Sequence, residues 1–143
     1  MKKLFTFFAI LAMATSLQAQ TPKANLIKDW ERARAYTKEY LDAMPETGFA
    51  LKPTKEMRSF AGQKLHLSDA IYGIVGTATQ VPPTAKDLEK SNDVAKASVT
   101  EKVLAAYDFA INAIKNAPDA KLGESIKLFS KNSTLSFKIF SLL

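Results

Sequence analysis

Three long stretches in which apolar residues recur every three or four positions, each closed by proline, constrain this chain more than anything else in it. Between Ala24 and Met44, the residues Leu26, Ile27, Trp30, Ala33, Tyr40, Leu41 and Met44 return at helical spacing, and Pro45-Glu-Thr-Gly48 supplies the stop. From Ser59 to Thr79, Phe60, Leu67, Ile71, Ile74, Val75 and Ala78 fall on one broad wall. Ser59 reads as its cap and Val81-Pro-Pro-Thr84 as its end. The third stretch places Val103, Leu104, Tyr107, Ala110, Ile111 and Ile114 on a stripe, with Ser98-Val-Thr-Glu101 in the capping-box pattern and Pro118 beyond the end. The charged segment from Ala85 to Ala97 reads as a connection or a short helix. Together these predict an all-α fold, an up-and-down four-helix bundle whose fourth helix is short or incomplete. The tail Leu135–Leu143 alternates at first and then becomes continuously apolar, so a short helix and a strand-like end both fit; it is expected to cover the open side of the bundle. Strands are not needed to account for the rest.

The N-terminus has a different character. Lys2 and Lys3 precede an apolar run from Leu4 to Ala14 and a more polar stretch ending at Gln20, which reads as a secretory signal peptide over residues 1–20. The run is shorter than the roughly 20 residues that span a bilayer, so no stable membrane anchor is expected after cleavage. Removing it from 143 residues leaves 123, the size of one domain with one core over residues 21–143. An exported chain of this size would often carry disulfides, but there is no cysteine, so stability must come from apolar packing, which a 47% hydrophobic composition permits. Two of the +6 formal charges belong to Lys2 and Lys3, leaving +4 on the mature protein. The remaining lysines are scattered among Asp and Glu without interleaved aromatics, the pattern of a solvated face and not of a nucleic-acid groove.

The chain contains one histidine, His66. It lies off the apolar wall of the second helix, where its neighbours at helical spacing are Gly62, Asp69, Ala70 and Gly73. Gly62, Gly73 and Gly76 each cost this helix roughly 1 kcal/mol relative to alanine, and close approach of another segment to its backbone is the expected reason. A catalytic metal site needs about three protein ligands and an open position for water. Asp69 would add one carboxylate beside His66, but two ligands from one turn do not make that site. A serine triad would have only this one imidazole, cysteine chemistry is excluded, and Gly73 and Gly76 sit where no phosphate cradle forms. Core packing is the expected role of Trp30, Tyr40, Tyr72 and Tyr107.

The ordered set Trp30 and Arg34, Met44-Pro-Glu46, Phe49, Lys52-Pro53, Arg58-Ser-Phe60 and Leu65-His-Leu-Ser-Asp-Ala70 resembles the DinB-like (DinB/YfiT) family of four-helix bundles, over about Ala24 to Phe129. Members typically hold a divalent metal on three histidines, and some relatives are metal-dependent hydrolases or thiol transferases. His66 matches the first of those ligands. The other two belong to a His-rich motif on the fourth helix, and here Leu128-Phe-Ser-Lys-Asn-Ser-Thr134 runs on into Leu135–Leu143 instead. The expectation is a C-terminus truncated or altered relative to complete members, a frameshift being one route to it. The resemblance thus implies an exported relative with a partial metal site at His66 (zinc, nickel, manganese or iron, or no metal in this chain) and little or no catalytic activity. The alternative is a metal-free helical binding or structural module. A second copy of the chain and an unidentified small molecule are the partners to consider, and nucleic acid is not expected.

Overall fold

The computed structural model describes residues 22–122 in full, together with the backbone of 126–128 and 135–137. The signal-peptide segment and most of the tail lie outside these residues. Three long helices, α1 (Pro22–Ala43), α2 (Phe60–Thr79) and α3 (Lys96–Asn116), are followed by a single turn, α4 (Asp119–Leu122). Strands β1 (Ile126–Leu128) and β2 (Leu135–Phe137) pair antiparallel, with Ile126 opposite Phe137 and Leu128 opposite Leu135. The fold is therefore helical, as expected, but it carries a short hairpin that the sequence reading did not require.

The helices start and stop where local chemistry dictates. Ser59 Oγ accepts the Gly62 amide at 3.0 Å, so the expected cap of α2 is present. At its other end Gln80 turns left-handed, with φ 60°, and redirects the chain. The capping box at Ser98 is not formed. α3 begins two residues earlier, at Lys96, because Asp93 gathers the local donors: the Ala95 amide at 3.0 Å, and Ser98 Oγ and Lys102 Nζ at 2.6 Å each. With three donors converging on it, the Asp93 carboxyl falls to about 2, the Lys102 ammonium contributing most and the Ser98 hydroxyl next.

The expected up-and-down order fails at the second connection. Lys23 Nζ reaches the Ala117 carbonyl at 2.6 Å, Arg34 grips Asp108 through two hydrogen bonds at 2.8 and 2.9 Å, and Lys96 Nζ reaches the Met44 carbonyl at 2.7 Å, so α1 and α3 run antiparallel. The turn through Pro45 and the Phe49–Phe60 ring contact fold α2 back along α1. Consequently α2 and α3 are parallel, with Tyr72 against Phe109 at 4.9 Å halfway along. Residues 80–95 must then return along the whole length of α2. Twenty helical residues span about 30 Å, and sixteen extended residues reach at most about 53 Å, so the connection is long enough. Nothing in an amphipathic stripe specifies helix direction, which is why the periodicity predicted three helices correctly and their order wrongly.

The core lies along α3, which packs against both α1 and α2, while those two touch one another far less. Leu41, Phe49, Leu65, Val99, Val103, Ile114 and Leu122 are fully buried. Each such side chain contributes roughly 1.5–3 kcal/mol of transfer free energy. The buried face of α2 is Ala61, Leu65, Ser68, Tyr72, Val75 and Thr79 together with Ile71 and Ala78; Leu67, placed on the wall by the sequence reading, is exposed. Tyr40 is also exposed, contrary to the core role expected of it, and shares the Lys64 ammonium with Phe60, each ring centroid 5.4 Å away. Trp30 packs partly buried, edge-on to Tyr107 at 5.9 Å, and Thr37 Oγ1 donates to the buried Tyr107 hydroxyl at 2.9 Å.

Candidate functional site

The crossover meets the polar face of α2. Gly76 explains how it approaches so closely: a Cβ at that position would lie 3.0 Å from the Val81 carbonyl oxygen and 3.1 Å from Pro83 Cγ. The close approach that the glycines suggested is thus present at Gly76. It is absent at Gly73, where a Cβ would meet nothing within 4 Å.

One turn towards the N-terminus of α2, Asp69 holds the crossover by its backbone. Asp69 Oδ1 accepts the Leu88 amide and Oδ2 the Glu89 amide, each at 2.9 Å, at the start of the short 3-10 turn Glu89–Ser91. The sequence reading gave Asp69 a solvated or helix-stabilising role, or that of a second metal ligand. Instead it caps another segment, in the manner of a helix N-cap carboxylate. This seats Glu89 beside His66.

His66 Nδ1 lies 2.7 Å from Glu89 Oε2, and the other carboxylate oxygen, Oε1, accepts from Arg58 Nε. Arg58 beside it, and His66 after it, hold the Glu89 carboxyl below the usual carboxylate range. An ionised carboxylate only accepts, so Nδ1 carries the proton of this contact and the lone pair of a neutral imidazole lies on Nε2. His66 is 45% exposed, at the edge of the bundle and not in a central cavity. Arg58 and Glu89 lie 8 and 23 residues away in sequence. No spacing rule links them to His66, and only the course of the crossover brings them together.

The donor set does not fit the three-ligand metal site implied by the family resemblance. Asp69 has both oxygens on amides, and Glu89 is shared between a guanidinium and the imidazole, which leaves Nε2 of His66 as the open donor. Among the described residues, no group of three or more His, Cys, Asp or Glu side chains is arranged to hold a metal ion.

Beside this cluster opens a cleft of about 770 Å³ between the α1–α2 connection and the first turn of α2. Its apolar wall comprises Met44, Leu51, Pro53, Met57 and Phe60, and Arg58, Glu56, Gln63 and Glu89 supply its polar groups. Leu51 and Met57, at 63% and 53% exposure, are large hydrophobic side chains left open to solvent. Among the described residues, no helix is long and apolar enough to cross a membrane. The chain matches no family model, no curated protein and no solved structure.

Proposed function

We propose that this protein is an exported, metal-free helical binding module with a DinB-like sequence framework, in which position 66 serves as part of a clasp and not as a metal ligand. One observation carries the reading: Asp69, the carboxylate that would add a second ligand, has both oxygens on the Leu88 and Glu89 amides, and with His66 Nδ1 on Glu89 the cluster offers a cation the single Nε2 lone pair. A cation at this cluster would also face the Arg58 guanidinium. The clasp fixes the crossover beside the apolar cleft, and binding at that cleft needs no imidazole chemistry. The export part of the reading rests on the signal-like residues 1–20.

The decisive experiment is elemental analysis of the purified protein and of His66→Ala. Substoichiometric metal in both is the expected result. About one zinc, nickel, manganese or iron per chain, lost in the variant, would overturn the metal-free reading, and metal-dependent turnover abolished by His66→Ala would also overturn the non-catalytic one. The intact mass of the exported protein tests the other half, with loss of the first 19 or 20 residues as the expected outcome.

A further inference from the structure

We propose that the cleft beside the clasp binds a free aliphatic monocarboxylate, its head on Arg58 and its chain along Met44, Leu51, Pro53, Met57 and Phe60. The inference rests on the binding-module reading and gives it a ligand class. Arg58 supplies the head-group contact. Its Nε is spent on Glu89 Oε1, and among the described residues neither terminal nitrogen makes a hydrogen bond, although the side chain lines the cleft. A guanidinium anchored at Nε has a fixed plane, and its remaining nitrogens present a two-pronged donor suited to a carboxylate.

The acids around it are already occupied. Glu89 has one oxygen on Arg58 and the other on His66. Glu56 accepts from its own backbone amide and from the Thr54 hydroxyl, and both bonds hold its carboxyl below the usual range. A cationic head group would therefore have to break existing contacts, whereas a carboxylate finds donors ready on Arg58 and on the Gln63 amide group. The wall supports an aliphatic chain in preference to a flat ring: two methionines and a leucine adapt to an unbranched chain, and a cleft of about 770 Å³ lies within the usual range for small-molecule sites. Two like charges face the head group: Glu89, which is balanced by its contacts with Arg58 and His66, and Glu56, which has no cationic partner among the described residues and gives the proposal a signed consequence.

Titration calorimetry with sodium decanoate, 1-decanol and decyltrimethylammonium tests it on the purified protein. Decanoate should bind one per chain and about tenfold more tightly than 1-decanol, with the ammonium weakest. Arg58→Gln should abolish the preference for decanoate over 1-decanol. Glu56→Gln, an exposed substitution outside the clasp, should tighten decanoate about two- to threefold by removing the like charge. Equal binding of decanoate and 1-decanol, a preference that survives in Arg58→Gln, or weaker decanoate binding in Glu56→Gln would each overturn the proposal. If Arg58→Gln does not fold, the Glu56→Gln result decides. Failure here leaves the metal-free reading intact, because that reading stands or falls on metal content.

Discussion

Replacing Gly76 and Gly73 by alanine, one at a time, measures how firmly the crossover is seated on α2. Both glycines are internal to the same helix, so each substitution recovers about 0.5–1 kcal/mol of helix propensity. At Gly73 the new methyl group meets nothing within 4 Å, and Gly73→Ala should stabilise the protein by that full amount. At Gly76 it would lie 3.0 Å from a backbone oxygen and 3.1 and 3.3 Å from two atoms of the Pro83 ring. Neither a carbonyl nor a proline ring can rotate away, so overpacking costs about 1–3 kcal/mol, and Gly76→Ala should range from neutral to destabilising by about 2 kcal/mol. The gap between the two variants, about 1–3 kcal/mol, isolates the contact because the propensity gain cancels. Urea unfolding followed by far-ultraviolet circular dichroism reads it, with unchanged slopes confirming that the denatured state is not the cause. Equal stabilisation by both substitutions would mean that the crossover does not pack on Gly76, and the arrangement of α2 and α3 argued above would fail with it.

The remaining predictions concern single side chains. Asp69→Ala should cost about 2–3 kcal/mol and speed hydrogen exchange at the Leu88 and Glu89 amides, with Asp69→Asn losing about half as much because one acceptor oxygen survives; unchanged exchange at those amides would remove the clasp. Because the folded Asp93 carboxyl sits at about 2, below its ordinary value of 3.8, its stabilisation is complete above the ordinary value and disappears as pH falls through about 2. Asp93→Asn should therefore flatten the loss of stability between those two pH values, and a denaturation series across that window checks it. Tyr107→Phe leaves the buried Thr37 hydroxyl without its acceptor and should lower stability by about 1–2 kcal/mol in thermal or urea unfolding.

Much of the helical framework was legible because its signals are local. Pro45, Ser59 and the run of prolines at 82–83 act within a few residues of themselves, and the boundaries of α1 and α2 fall within about two residues of expectation. Ser98 misled because a capping pattern describes what a residue can do, and Asp93, with more donors in reach, decided the outcome. Leu67 misled because the face of α2 that meets α3 also contains Ser68, Gly76 and Thr79, which an apolar count passes over. At the candidate site, the position of His66 off the core wall was readable from helical geometry. Its partner Glu89 was not, because that contact depends on the direction in which sixteen irregular residues run.

That direction also bears on how the chain reaches its native state. In an up-and-down bundle each helix pairs first with its neighbour in sequence, and closing a short loop brings most of the contacts together. Here the helix that organises the core is the third, and α1, at the far end of the described chain, depends on it for burial. The α1–α3 part of the interface therefore forms only after segments some seventy residues apart have met, as Arg34 and Asp108 have, and the larger α2–α3 part only after the crossover has run back along α2. Such long-range closure slows folding relative to an all-local bundle of the same size. Until it happens, α1 exposes Leu26, Trp30 and Leu41 together, and the newly made chain is most prone to associate with other copies during that interval.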